Sequence, residues 1–278
     1  MLSDKQQVVL DRFVGACKRD GRVLAAFIGG SFAAGTADAH SDLDLYLITT
    51  DASYDSFFAE RAEFLGQLGR PVFLQDFSGF GFDMVIFMFS DGVEGELAMA
   101  SEERYSHIHG GPFSVLVDKN ALLEDAVFPW QRPSAVDQRE TLCQLLEWYW
   151  RDLSLFNVAI ARQRLWTAYG YLEAMRLKCV NLARLSRDMK SWADGYEKLE
   201  GVLGDHELDA LGRTLCSLDR ADMMDAAQSL IGFYRSIALP LSRRQGITYP
   251  SDLDEIVSGQ LRSTASPIGE GDESDMIS

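Results

Sequence analysis

The sequence predicts an α+β fold in which an N-terminal mixed sheet with helices is followed by a C-terminal helical bundle. Short apolar runs of strand length, separated by glycine-containing turns, occupy about the first 130 residues, and hairpin signals cluster after residue 70. Long helical patterns begin at Ala135. Pro129, Trp130 and Pro133 lie between these two regions. We therefore predict domains over 1–130 and 131–263. Residues 264–278 have little apolar surface to bury, and we predict a disordered tail there.

The N-terminal elements follow from periodicity and turn residues. Ser3 or Asp4 can cap a first helix that ends near residue 19. The fully apolar run 23–28 predicts a buried central strand. The hairpin signals favour a mixed, twisted sheet over a doubly wound parallel one. The other predicted elements are strands over 43–49, 72–77, 82–89, 94–99 and 115–117, with one helix over 54–68.

The C-terminal half reads as helices throughout. Leu142, Leu146, Tyr149 and Leu153 form one apolar stripe of the first long helix. The pattern predicts a bundle, and its aromatic-rich surface could also provide a homodimer interface. The predicted helices span 135–164, 165–189, 205–215, a start at Asp219 or Asp222 to about 244, and a short last helix from Ser251.

Composition restricts the partners. The formal net charge is −16 and the pI about 4.6, so phosphate backbones are repelled and we expect no nucleic-acid partner. A cationic small molecule suits this charge better. No apolar run approaches the ~20 residues of a membrane helix, and the N-terminus lacks a signal-peptide pattern. The four cysteines are widely spaced. We expect a reduced, cytoplasmic protein that does not contact membranes.

The richest stretch is 27–47, FIGGSFAAGTADAHSDLDLYL. Its glycine turn lets the backbone approach a phosphate closely, and Ser31 adds a hydroxyl donor. Asp42 and Asp44 are two residues apart, so in a strand they share a face, where their charges repel unless a cation lies between them. Carboxylates of this kind hold divalent cations on a triphosphate. The stretch therefore predicts a nucleotide- and metal-binding site, which a third acid from another strand would complete as metal ligand or general base.

The segment GGSFAAGTADAHSDLDLYLI resembles the signature of the polymerase-β-like nucleotidyltransferase superfamily. Within it the chain is most similar to the antibiotic nucleotidyltransferases, the lincosamide type first and the aminoglycoside type next. The resemblance implies that Gly30, Ser31 and Ser41 bind the nucleotide. It also implies that Asp42 and Asp44 bind Mg²⁺, with two ions expected.

The same resemblance places a third carboxylate on a later strand. Glu96 is the candidate in this sequence, as catalytic residue and metal ligand, while Asp83 and Glu94 stay as alternatives. In the family the helical domain covers the nucleotide and lines the acceptor pocket. On that likeness Lys178 or Arg176 would reach the β- and γ-phosphates.

The acceptor side of the site depends on the helical half. Its segment 147–152, EWYWRD, is rich in aromatic and acidic residues and suits a pocket wall. Glu147 and Glu173 are alternative general bases. His107 and His109 could be ligands on one strand face, but the glycines that follow them favour a loop.

These features predict an enzyme that transfers a nucleoside monophosphate, AMP from ATP or another NTP, to a hydroxyl of a small cationic antibiotic. The alternatives are a nucleotidyltransferase that modifies a protein or tRNA, and a non-catalytic nucleotide-binding partner on the same fold. A hydrolase elbow needs Gly-x-Ser-x-Gly, and residue 33 is alanine. No Walker loop is present in the sequence.

Overall fold

The structure, a computed structural model, describes residues 3–78, 82–129, 135–188 and 194–265. The chain divides into two compact units, Met1–Gln131 and Arg132–Ser278. Separate clusters of buried apolar residues fill them. The domain boundary at 130/131 stays a prediction, since contacts alone do not show that either unit folds by itself.

The first unit is built on a six-stranded sheet with the order β3-β4-β5-β2-β1-β6. β2 and β5 run parallel, while every other neighbouring pair is antiparallel. The predicted mixed sheet is therefore confirmed. Its elements are α1 (Asp4–Arg19), β1 (Val23–Ile28), α2 (Gly30–Ala33), β2 (Leu43–Thr49), α3 (Tyr54–Ala59), α4 (Arg61–Leu68), β3 (Pro71–Ser78), β4 (Asp83–Phe89), β5 (Glu94–Ser101) and β6 (Ser114–Asp118).

The helix predicted over 54–68 is wrong in one respect, because Glu60 interrupts it and separates α3 from α4. In a continuous helix Arg61 would lie on the same stripe as the buried Tyr54 and Phe57. In the structure Arg61 Nε donates to Asp76 at 2.7 Å. A continuous helix would instead turn this charged residue toward the buried stripe.

The two faces of the sheet are covered differently. On one face, residues such as Phe13 of α1 and Leu65 of α4 pack on the leucines of β2. On the other face a smaller cluster joins Phe27 of β1 to residues of the 102–128 segment, among them Ile108 and Phe128. Asp44 and Tyr46 of β2 and Glu96 of β5 lie on this second face.

The second unit is helical, as predicted. Its core includes Tyr149, Trp150 and Tyr234, none of them measurably exposed. The last helix continues through Thr264 and Ala265, two residues into the predicted tail, and 266–278 lie outside the described residues, as does the predicted end of a helix at 189. The helices are α5 (Ala135–Ala161), α6 (Leu165–Arg187), α7 (Asp205–Gly212), α8 (Arg220–Gln245) and α9 (Ser251–Ala265).

Helix ends in the second unit fall where capping groups occur. Asp219 accepts hydrogen bonds from the amides of Ala221 and Asp222 and so begins α8. Gly246 ends that helix in the left-handed region at φ +60°. Within the described part of the chain, no helix is both long and apolar enough to cross a bilayer.

Candidate active site

Asp44 and Glu96 lie opposite each other on the two parallel strands β2 and β5. Adjacent strands are about 4.8 Å apart, and directly paired residues of a sheet project from the same face. Asp42 is exposed and precedes β2 by one residue. Burial, together with the negative charge of Asp42, raises the pKa of Glu96. The three predicted carboxylates are thus brought to one end of the β2–β5 pair.

The glycine turn contacts the strand that carries Asp44. The amide of Gly29 donates to the carbonyl of Asp44 at 2.9 Å. Gly30 has φ +52°, and a Cβ built on it would lie 1.7 Å from Asp44 Oδ2. Only glycine fits at position 30, because a side chain would meet both the backbone strain and the carboxylate.

Ser31 lies in the short helix α2, directly after this turn. Its Oγ is buried and has no hydrogen-bond partner within the part of the chain that the structure describes. The first amides of a helical turn also have no acceptor inside the helix. The turn therefore offers hydrogen-bond donors next to the acids.

The predicted nucleotide contact of Ser41 stays a prediction. In the structure its Oγ accepts from the amide of Asp38 at 3.0 Å and donates to Asp38 Oδ1 at 3.3 Å. These bonds close the turn 38–41 that precedes Asp42. To donate to a phosphate oxygen, the Ser41 hydroxyl would have to give up its bond to Asp38 Oδ1, while it could still accept from the Asp38 amide.

An aromatic cluster adjoins the acids on the same face of the sheet. Tyr46 stacks on Phe27 with ring centroids 4.5 Å apart, and His109 meets both rings edge-on. A Cβ on Gly29 would lie 2.7 Å from His109 Cε1 and 2.9 Å from a Tyr46 ring carbon. Burial, then the charges of the site acids, raise the pKa of Tyr46, and burial lowers that of His109. Gly29, the first glycine of the turn, is thus required by ring packing.

The sequence did not indicate a role for Tyr46, and it offered His109 only as a possible ligand on a strand face with His107, which instead ends a short 3₁₀ turn. Tyr46 follows Asp44 by two residues in a strand, so the same alternation that pairs the aspartates could have placed it. His109 lies outside the regular elements and its ring nitrogen Nε2 is 2.9 Å from the carbonyl of Pro112. No local pattern indicates that this loop returns to the glycine turn.

The structure separates the alternatives for the third acid. Asp83 is opposite Met99, three residues along β5 from Glu96, so its side chain projects from the other face of the sheet. There it accepts a hydrogen bond from Tyr54. Glu94 is exposed at the start of β5. Glu96 is the candidate that pairs with Asp44.

The oxygen atoms of Asp42, Asp44 and Glu96 are the candidate metal donors of this site. Among the described residues, no group of three or more His, Cys, Asp or Glu side chains is arranged to hold a metal ion. The chemistry of the donors nevertheless suits Mg²⁺, a hard cation that takes few carboxylates and keeps several waters. The carboxylate ligands are present at one end of two strands, and binding would require their side chains to turn toward a common ion.

The two cations that the sequence assigned to the phosphates, Lys178 and Arg176, are paired with other residues of the helical unit. Lys178 Nζ is 2.6 Å from Asp152 Oδ2, and both side chains are largely buried. Arg176 is buried, with Nε donating to Thr214 Oγ1 at 2.8 Å and another nitrogen paired with Glu173. A phosphate role for either cation would have to break these contacts.

A comparison with known families resolves which enzymes this chain resembles. The sequence model of the streptomycin adenylyltransferase family matches residues 4–263. The chain belongs to this family. Comparison with curated proteins found no match.

Two solved structures are similar to this family member. A crystal structure of an aminoglycoside 6-adenyltransferase from Bacillus subtilis is 18% identical, with a TM-score of 0.44, and covers 94% of this chain and 98% of its own. A nucleotidyltransferase-like protein from Exiguobacterium sibiricum 255-15 is 13% identical, with a TM-score of 0.35, and covers 86% of this chain and 77% of its own.

Membership in the streptomycin adenylyltransferase family makes the protein a nucleotidyltransferase of the antibiotic-modifying kind. The family implies a nucleotide co-substrate and a small-molecule antibiotic as acceptor. The matching family is of the aminoglycoside type, which the sequence resemblance placed after the lincosamide type. No match supports the lincosamide type.

Proposed function

We propose that this protein transfers AMP from ATP to a hydroxyl group of an aminoglycoside antibiotic, with Mg²⁺ and with release of pyrophosphate. The observation that carries the proposal is the pairing of Asp44 with Glu96 beside the glycine turn, in a chain of the streptomycin adenylyltransferase family. The acceptor's hydroxyl oxygen forms a bond to the α-phosphorus, the bond from this phosphorus to the bridging oxygen breaks, and pyrophosphate leaves.

The aspartates at the start of β2 would hold the ion. Asp42 and Asp44 are the ligands we assign to it, because they supply only carboxylate oxygens and are two residues apart at one end of the strand. Glu96, opposite Asp44, is left for proton transfer. Bound Mg²⁺ would neutralise negative charge on the triphosphate. Without a cation, the negative charge of each carboxylate makes ionisation of the neighbouring carboxyl groups less favourable.

The glycine turn would bind the triphosphate. Gly29 and Gly30 keep the backbone free of side chains at the point where it meets Asp44. The buried Ser31 Oγ has an unused donor, which a phosphate oxygen would satisfy after rotation of the side chain. These donors and the acids together would hold the α-phosphorus in place for in-line attack.

Glu96 is suited to accept the proton of the attacking hydroxyl. Its pKa lies above the ordinary value because it is half-buried and faces the charge of Asp42. A carboxylate with a raised pKa is a stronger base, and a base acts best when its pKa approaches the working pH. The net charge of −16 favours a cationic acceptor, as the amino groups of an aminoglycoside provide.

The proposal is tested by pyrophosphate release from ATP and Mg²⁺ with a panel of aminoglycosides and lincosamides. We expect release with an aminoglycoside and none with ATP alone. Asp44→Asn should lower kcat by about 100- to 1,000-fold, the range typical of lost electrostatic stabilisation. Asp83→Asn makes the same change on the opposite face of the sheet and should keep most activity, since an amide oxygen still accepts from Tyr54.

Two results would contradict the proposal. Full turnover by Asp44→Asn would remove the acids from the mechanism. Release of pyrophosphate with lincosamides and with none of the aminoglycosides would replace the acceptor class, while leaving the transfer chemistry in place.

A further inference from the structure

We propose that Gln6 is a positioning residue for Asp42, holding the turn 38–41 against the first helix. The inference rests on the proposed function, because it assigns Gln6 an effect on catalysis through Asp42. Gln6 is 4% exposed and is the only one of the three consecutive residues Lys5, Gln6 and Gln7 that is buried. A buried amide requires partners on both its oxygen and its nitrogen.

The oxygen of the Gln6 amide completes the cap of α1. Oε1 accepts from the Ser3 amide at 2.6 Å and from Ser3 Oγ at 2.7 Å. The amide of Gln6 donates in return to Ser3 Oγ at 3.3 Å, which makes a capping box. This half of the side chain serves the helix.

The nitrogen of the same amide contacts the segment before Asp42. Nε2 donates to the carbonyl of Ser41 at 2.5 Å and to that of Asp38 at 3.4 Å. These bonds span 35 and 32 residues of sequence. They tie the residue immediately before Asp42 to a helix whose Val9 and Phe13 are in the core.

Within the part of the chain that the structure describes, the other side-chain hydrogen bonds of the turn are internal. They join Asp38 to His40 and Ser41, so they set the shape of the turn without attaching it to the rest of the unit. Asp42 itself is exposed. The hydrogen bonds of Gln6 thus attach the turn, and with it Asp42, to helix α1. Partners of this kind that orient a metal ligand are typically worth 10–100-fold in metal affinity or activity.

Gln6→Glu separates the two halves of the side chain. A carboxylate at this position can still complete the capping box and suits a helix N-terminus, so we expect α1 to stay folded, while burial of the charge should lower the Tm. It loses the donor and sets an oxygen against two carbonyl oxygens. We expect kcat to fall by 10–100-fold, and amides of 38–42 to exchange hydrogen at least tenfold faster while those of α1 do not change.

Two controls complete the experiment. Gln7→Glu makes the same change one residue further along, at an exposed position, and should leave kcat and exchange unchanged. Gln6→Met removes both the donor to the turn and the acceptor of the cap without adding charge, which separates lost hydrogen bonds from electrostatic repulsion of Asp42. Ser3→Ala weakens only the cap and should lower the Tm without lowering kcat. If Gln6→Glu does not fold, the comparison of Gln6→Met with Ser3→Ala still isolates the anchor.

Mn²⁺ binding, followed by the electron paramagnetic resonance signal of the free ion, gives a readout that does not depend on turnover. We expect about tenfold weaker binding by Gln6→Met. If both Gln6 variants keep the kcat, the hydrogen exchange over 38–42 and the Mn²⁺ affinity of the wild type, the inference is wrong. That outcome differs from failure of the proposed function, in which the wild-type enzyme itself would release no pyrophosphate.

Discussion

Gly30→Ala tests how closely the glycine turn and Asp44 depend on each other. Gly30 is in the left-handed region at φ +52°, where an alanine costs roughly 1–2 kcal/mol. The new Cβ would also lie 1.7 Å from Asp44 Oδ2, and ordinary contact begins near 3.4 Å. The carboxylate and the turn must therefore move apart by well over 1 Å. A displacement of about 1 Å at a reacting group can lower a rate roughly 100-fold.

Gly35→Ala is the matched control. Gly35 is also left-handed, at φ +72°, but a Cβ there would meet no atom within 4 Å. The two substitutions thus share the backbone strain, about 2–8 °C in Tm for a protein of this size. Only Gly30→Ala displaces Asp44. We expect at least 100-fold lower kcat for Gly30→Ala and less than fivefold for Gly35→Ala.

Pyrophosphate release and thermal unfolding, measured on both variants, decide the question. Equal kcat losses would mean that strain in the turn, and not the Asp44 carboxylate, controls activity. Wild-type activity in Gly30→Ala would refute the reasoning from the Cβ contact altogether.

Further predictions concern the acids and the helical unit. Glu96→Gln should abolish transfer yet raise the Tm at neutral pH. The pKa of Glu96 is higher in the folded protein than in the unfolded chain, so its ionised carboxylate destabilises the fold at neutral pH and the amide does not. This gain in Tm should vanish as the pH falls through the pKa of an unfolded glutamate. An equal or lower Tm at neutral pH would contradict this. For the same reason, the kcat of the wild type should begin to fall on acidification at a pH above 4.5, the ordinary pKa of a glutamate. A kcat that falls only below pH 4.5 would exclude Glu96 as the base. Lys178→Met should lower stability by about 3–5 kcal/mol because it leaves the largely buried Asp152 unpaired, with the KM for ATP unchanged. A large rise in that KM would instead support the sequence-based assignment of Lys178 to the phosphates.

Local patterns predicted much of the first unit. The apolar run 23–28 and the alternating run 43–49 became β1 and β2 with the same bounds. Strand alternation has a period of two, so the shared face of Asp44 with other polar positions of β2 can be read from the sequence. The choice among Asp83, Glu94 and Glu96 could not, because it depends on the register of β5 against β2 and β4.

Contacts between distant residues were not readable from the sequence. The His109 ring against Gly29 and the Gln6 anchor to Ser41 each join segments that local periodicity treats separately. Lys178 was assigned to phosphates on likeness, while its pairing with Asp152 depends on how α5 and α6 pack. Long-range hydrogen bonds and ion pairs are decided by tertiary structure, and a pattern of residue types does not encode their partners.

We propose that the acids beside the glycine turn promote the transfer of AMP from ATP to an aminoglycoside. Mass spectrometry of streptomycin and related aminoglycosides, after incubation with ATP and Mg²⁺, detects this product. We predict that the wild-type protein adds a single adenylyl group to an aminoglycoside and that Asp44→Asn adds none. An unmodified antibiotic with the wild type, or the same adduct with Asp44→Asn, would contradict the account.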